Sequence, residues 1–150
     1  MKIAILGLGY VGTTAAACLA SQGHEVIGID PSSTKVNAVL AGRSPVTEPG
    51  LAEMIAVAHS RGLITASTTL VPEVAECELA IVCVGTPSAV DGSHNMTYIA
   101  EVSRQLAELV KTYPNGSLTV AYRSTIRPGT MEELIQPIVD SVLGDEASRI

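Results

Sequence analysis

The residues best placed to do chemistry stand near the start of the chain. Gly7-Leu8-Gly9-Tyr10-Val11-Gly12 follows directly on the apolar run Lys2-Ile3-Ala4-Ile5-Leu6, and a carboxylate, Asp30, closes a second apolar run 18 positions after Gly12. Glycines at this spacing between a strand and a helix, with an acid about 20 residues on, form the arrangement that receives a dinucleotide. Gly7 permits a tight turn, Gly9 lets the backbone approach a pyrophosphate, and Gly12 lets the helix lie against the strand. The N–H groups of Tyr10, Val11 and Gly12 open a helix, so no helical carbonyl receives them and they face the anion. Asp30 plays a separate part, because its carboxylate accepts both ribose hydroxyls of an adenosine and repels a 2′-phosphate. No arginine follows it in Pro31-Ser32-Ser33-Thr34-Lys35, which favours NAD over NADP, although Lys35 stands near the ribose and softens that preference.

Positioning these residues requires strands that end together. Apolar runs at 2–6, 25–29, 63–66, 79–84 and 117–122 alternate with helical patterns and predict five parallel strands. The first helix, around Thr13 to Ala20, is made mostly of small side chains that hold it close to the sheet, and Cys18 within it reads as a small buried hydrophobe. Further helices are expected at 33–41, 51–60, 97–111 and 130–143, with a short one near 71–77. Thr130 and Glu133 fit a capping box for the last of these. Pro137 must kink that helix or move its start, because it removes one hydrogen bond and crowds the carbonyl of Glu133. With right-handed crossovers the expected strand order is 3-2-1-4-5, a Rossmann-type doubly wound parallel α/β sheet with helices on both faces. One domain is expected over residues 1–150, with no internal repeat or dividing linker. The order reverses between strands one and four, so the loops at their C-terminal ends form the ligand crevice.

Composition agrees with such a sheet. Apolar residues make up 47% of the chain, with no Phe, no Trp and four Tyr, so the core is built from Val, Ile, Leu and Ala, as in strands buried on both faces. No apolar stretch approaches the roughly 18 residues of a membrane span. Lys2 and the following apolar stretch loosely mimic a secretory signal, but the glycines interrupt it. A net charge of −6, with nine basic residues among fifteen acids, argues against a nucleic-acid partner. Cys18, Cys77 and Cys83 show neither paired nor metal-ligand spacing, which points to a reducing cytoplasm and to no metal site. Cys83, between Val82 and Val84, reads as buried packing, and His24, His59 and His94 as solvated surface without a relay.

The loops at the crevice carry the next informative residues. Strand four runs out through Cys83-Val84-Gly85-Thr86-Pro87-Ser88, and strand five through Arg123-Ser124-Thr125 toward Ile126-Arg127-Pro128-Gly129-Thr130. Each puts a threonine hydroxyl, Thr86 or Thr125, where it can bond a cofactor ribose or phosphate, or equally satisfy its own loop backbone. The proline-rich loop 42–50 reads as a rigid turn that starts a helix at Leu51, and 88–96 as a surface loop able to close over a ligand.

Taken together these residues resemble the UDP-glucose/GDP-mannose dehydrogenase family. Gly7 to Gly12, Ser44-Pro45-Val46-Thr47-Glu48-Pro49-Gly50-Leu51, Val84-Gly85-Thr86-Pro87 and Ser124 to Thr130 match the signatures of its N-terminal domain, and the likeness covers practically the entire chain. The resemblance implies NAD contacts from Tyr10, Val11, Asp30, Lys35, Thr86 and Thr125 beside the three glycines. Asp30 to Lys35, Gly85 to Ser88 and Arg123 look most like members acting on GDP-mannose; UDP-glucose members more often carry lysine at the place of Arg123 and remain the alternative. Family chemistry oxidises a primary alcohol to a carboxylate, GDP-mannose to GDP-mannuronate, by two hydride transfers to NAD+ through a thioester on a cysteine. None of Cys18, Cys77 or Cys83 has that cysteine's neighbours, so no catalytic residue is expected here. The resemblance implies that the nucleophile, the nucleotide-sugar site and the dimer-forming helix belong to a C-terminal half, and that this chain alone is inactive. A non-catalytic nucleotide-sensing regulator domain shares the glycines and the acid, but the segments 44–51 and 124–130 speak against it, and Glu48-Pro49-Gly50-Leu51 against a β-hydroxyacid dehydrogenase.

Overall fold

In the computed structural model, which describes residues 1–87, 95–113 and 117–150, the first strand buries both of its faces. β1 (Lys2–Leu6) turns Ile3 and Ile5 into one core layer and Ala4 and Leu6 into the other, all four at most 2% exposed. A period of two with both faces apolar places a strand in the middle of a covered parallel sheet. The sheet has five strands in the order β3-β2-β1-β4-β5, with β2 (Glu25–Ile29), β3 (Ile64–Ser67), β4 (Leu79–Val82) and β5 (Thr119–Tyr122) each parallel to its neighbours. The registers Leu6↔Ile29, Leu6↔Val82 and Val82↔Tyr122 bring four strand ends level. Whatever follows those strands therefore gathers along one edge of the sheet.

Helices cover both faces. α1 (Tyr10–Ser21), α2 (Ser33–Leu40) and α3 (Leu51–Ser60) pack over Ile3, Ile5, Val26 and Ile64. α4 (Thr97–Thr112), α5 (Gln136–Leu143) and the 3₁₀ turn Pro72–Glu76 pack over Ala4, Leu6, Ala80 and Val82. Each fully buried isoleucine, such as Ile5 or Ile99, contributes roughly 2 kcal/mol by its removal from water. On the α4 side the Tyr122 hydroxyl is met by Ser103 Oγ at 2.7 Å, while Ser103 donates to the carbonyl of Ile99 at 2.7 Å.

The expected strands and helices are present, with differences at their ends. β3 begins one residue late and β4 stops at Val82, not at Val84. β1 leaves the sheet at Gly7, so the N–H of Cys83 takes the last carbonyl, Leu6, at 2.7 Å and nothing of β1 remains to pair with Val84. The last helix is preceded by a π turn, Met131–Ile135, in which the N–H of Gln136 reaches back to Met131. Pro137 has no N–H for the carbonyl of Glu133, and the wider turn accommodates that gap.

Two expectations are corrected. Thr130 and Glu133 do not form a capping box: Thr130 Oγ1 donates to the carbonyl of Arg127 at 2.7 Å, and Glu133 pairs with Arg127 at 3.8 Å. Thr130 is already helical, φ −59° and ψ −34°, whereas a capping side chain needs extended backbone. Cys18 is exposed, not buried. The inward face of α1 is Gly12, Thr13, Ala16, Ala17 and Ala20, and helical periodicity turns Cys18 away from it.

Candidate functional site

The turn between β1 and α1 is shaped by two glycines that admit no side chain. Gly7 has φ +102° and lies so close to the end of β4 that a Cβ would stand 2.7 Å from the carbonyl oxygen of Cys83. A Cβ on Gly12 would stand 1.8 Å from the carbonyl oxygen of Gly7, because α1 crosses directly over the strand end. Gly9 differs: nothing lies within 4 Å of the position its Cβ would take. It caps α1 without a side-chain hydrogen bond, so the helix opens onto free space with the first-turn N–H groups of Tyr10, Val11 and Gly12 directed outward. Tyr10 and Val11 are exposed beside that opening. The Tyr10 hydroxyl approaches the carbonyl of Thr47 at 3.5 Å, which brings the 44–50 loop against the same helix end. That loop starts α3 at Leu51 as expected, through Gly50 at φ +77° and a Ser44 hydroxyl that donates to Val46 at 2.6 Å.

Asp30, 5% exposed, stands at the end of β2 and ties three elements together. Its Oδ2 accepts the N–H of Leu8 in the glycine turn at 2.8 Å and the ammonium of Lys35 on α2 at 2.9 Å. Its Oδ1 accepts the N–H of Ser32 at 2.9 Å. Burial works to raise this carboxyl, but the Lys35 ammonium and the N–H groups of Ser32 and Leu8 outweigh it and hold the group below its ordinary value. Asp30 is therefore an anion at neutral pH, aimed at the mouth of the glycine turn.

The opposite wall is made by the loops after β4 and β5. Ser124 stitches them together: its hydroxyl donates to the carbonyl of Val84 at 2.7 Å, and its N–H and that of Arg123 both reach the carbonyl of Val82. The sequence marks Ser124 only as part of a motif, and its structural role emerges from this crossing. Thr86 is half-buried and Thr125 exposed, and neither hydroxyl bonds to another of the described residues. Of the expected loop 88–96, residues 88–94 lie outside the described residues, as does His94.

Of the remaining candidates, Cys83 borders the crevice at the end of β4, whereas Cys77, His24 and His59 do not. Cys77 is buried, and burial pushes its thiol up to about 11. Cys83 is half-buried against the α1–α3 layer; burial raises its thiol while the charge of Arg123 works the other way. His59 is exposed and His24 half-buried. Among the described residues no three His, Cys, Asp or Glu side chains come together as metal ligands, and no helix is long and apolar enough to cross a membrane. A hollow between Ile27, Leu63, Thr65, Val71 and Cys77 lies on the flank of β2 and β3. It exists because one 3₁₀ turn, not a full helix, joins β3 to β4. The cation in its walls, Lys2, is paired with Glu76 at 2.7 Å, and Glu25 and Glu73 stand in the same lining and disfavour an anion, so the crevice at the strand ends remains the candidate site.

Comparison with known proteins gives a consistent picture. The NAD binding domain model of the UDP-glucose/GDP-mannose dehydrogenase family matches residues 1–148. A GDP-mannose 6-dehydrogenase of Azotobacter vinelandii is 40% identical over 147 residues, which are 98% of this chain and 34% of that protein. A GDP-mannose dehydrogenase of Pseudomonas aeruginosa, solved as a ternary complex, superposes with a TM-score of 0.91 at 37% identity, over 95% of this chain and 32% of the other. A UDP-glucose dehydrogenase of Pyrobaculum islandicum superposes with a TM-score of 0.85 at 34% identity, over 95% of this chain and 33% of the other. The chain thus spans about a third of the length of the relatives it matches.

Proposed function

Because the chain belongs to the UDP-glucose/GDP-mannose dehydrogenase family through its NAD-binding domain, we propose that it is the cofactor half of a sugar-nucleotide 6-dehydrogenase whose substrate is GDP-mannose. The observation that carries this reading is the open space at Gly9, framed by the start of α1 on one side and the anionic Asp30 on the other. The residues present fit a dinucleotide. Gly7 and Gly12 shape the turn, Gly9 with the N–H groups of Tyr10, Val11 and Gly12 receives the pyrophosphate, and Asp30 with Lys35 takes the adenosine ribose. Thr86 and Thr125, with hydroxyls not engaged by the described residues, complete the far side. When bound, NAD+ supplies a hydride acceptor for oxidation of a primary alcohol.

GDP-mannose is preferred to UDP-glucose on the higher identity to the Azotobacter vinelandii protein, 40% against 34% for the Pyrobaculum islandicum one. Among the described residues no cysteine is suited to act as the nucleophile of the two-step oxidation: Cys77 is buried and Cys83, beside the crevice, is half-buried, both with thiols raised by burial, and Cys18 lies outside the crevice on α1. The 150-residue chain is therefore expected to bind NAD+ and to turn nothing over.

Calorimetric titration of the chain with NAD+ tests the first part, with Gly9→Ala as the comparison. A methyl group at Gly9 meets no protein atom within 4 Å, so the variant keeps its melting temperature. It should lose about tenfold or more in NAD+ affinity, because the methyl occupies the pyrophosphate's approach. Equal affinity in the two proteins would remove the pyrophosphate assignment. NADH formation from GDP-mannose by this chain alone would sink the second part.

A further inference from the structure

Asp30 does not meet a ligand as a bare carboxylate. Two of its three hydrogen bonds, from Leu8 and Ser32, come from backbone N–H groups that the fold holds in place. The third comes from Lys35, whose side chain is 37% exposed and sits on a flexible four-carbon stem. A carboxylate offers about four lone-pair positions. With three filled, one remains, and two neighbouring ribose hydroxyls need two. Both hydroxyls can be accepted only if the Lys35 ammonium gives up its place on Oδ2, and it is then left standing beside the ribose.

Resting on the NAD reading above, we infer that Lys35 sets the discrimination between NAD and NADP in this chain. A 2′-phosphate entering here does not meet an unpaired anion. It meets a carboxylate already paired at 2.9 Å with an ammonium that can turn from one anion to the other. The repulsion usually credited to an acid at the end of the second strand is offset by this cation, which is the charged side chain that acts on Asp30. Removing the charge of Lys35 exposes the full repulsion to NADP, so NADP+ loses more than NAD+, which loses only the Lys35 contact at the ribose.

The test compares dissociation constants for NAD+ and NADP+ by calorimetry in the unmodified chain, Lys35→Met, Lys35→Gln and Lys35→Arg, with melting curves taken without ligand. In Lys35→Met the ratio of the NADP+ constant to the NAD+ constant is expected to rise roughly tenfold, through weaker NADP+ binding. Lys35→Gln keeps a hydrogen-bond donor for Asp30 without its charge and is expected to show the same rise, so the result stands even if Lys35→Met folds poorly. Lys35→Arg should stay within about threefold of the unmodified ratio, since it preserves the cation. NAD+ binding that persists with an unmoved ratio in Lys35→Gln overturns this inference and leaves the NAD reading intact. Failure of the unmodified chain to bind NAD+ overturns both.

Discussion

The two walls of the crevice are built on opposite plans. On the β1–β2 side the groups that fix Asp30 and the glycine turn already have protein partners: Gly7 donates to Ile29 at 2.7 Å, Leu8 to Asp30 at 2.8 Å, and Lys35 to Asp30 at 2.9 Å. On the β4–β5 side the main chains are stitched by Ser124, but the hydroxyls of Thr86 and Thr125 bond to none of the described residues. The first wall is organised by folding itself, so a ligand does not have to order it. The second holds hydroxyls in reserve and gains its bonds only from what enters. Substitutions at Gly12 and Asp30 should therefore register in stability, and those at Thr86 and Thr125 in affinity alone.

The largest expected effect is that of Gly12→Ala. Its methyl would need to stand 1.8 Å from the Gly7 carbonyl oxygen, with backbone on both sides, so neither partner can yield cheaply. Urea denaturation should show a loss of about 4 kcal/mol or more, or no folded protein at all. A variant as stable as the parent would mean that α1 does not cross the strand end as closely as described.

Asp30→Asn comes next. The amide keeps one acceptor where three donors converge, and a cost of about 1–3 kcal/mol at neutral pH is expected. The pH dependence has a definite sign. The folded-state value of Asp30 lies below its ordinary 3.8, so its contribution is fully present above that pH and is lost as pH falls through the lower folded value. The parent should lose stability along that acid limb, and Asp30→Asn should lose less. Superimposable acid limbs in denaturation at a series of pH values would show that Asp30 is not held as an anion by its neighbours.

The smallest stability effects belong to the second wall. Thr86→Val and Thr125→Val are each expected to leave stability within about 0.5 kcal/mol. Each should weaken NAD+ binding by roughly three- to tenfold, the value of one hydrogen bond. A stability loss comparable to that of Asp30→Asn would erase the contrast between the walls.

Much of this contrast was legible in the residues. Gly7, Gly12 and Asp30 have local sequence reasons to be where they are, and the alternation of Ile3, Ala4, Ile5 and Leu6 was enough to place β1 at the centre of a sheet covered on both sides. What escaped depends on directions that sequence does not encode. Cys18 sits in a helix whose inward face, Gly12, Thr13, Ala16, Ala17 and Ala20, is made of side chains too small to mark it in the sequence, so its exposure became visible only with the helix in place. Thr130 and Glu133 have the right spacing for a cap, but Pro137 opens the next turn into a π geometry and Thr130 is helical before a cap could form. The ion pair of Lys35 with Asp30 joins the end of a strand to the first turn of a helix, a separation at which neither strand nor helix periodicity predicts contact. The bridge from Ser124 to Val84 crosses between two strands far apart in the chain, and only the parallel register brings it about.

The exposed Tyr10 has a spectroscopic consequence. The chain contains no tryptophan, so its near-ultraviolet emission comes from four tyrosines. Tyr122 is partly buried on the far layer against Ser103, and Tyr98 and Tyr113 belong to α4 and its end, whereas Tyr10 stands at the helix start beside Gly9. One of the four chromophores thus stands at the lip of the crevice, where a ligand seated on the helix start is expected to change its share of the emission without any label being attached.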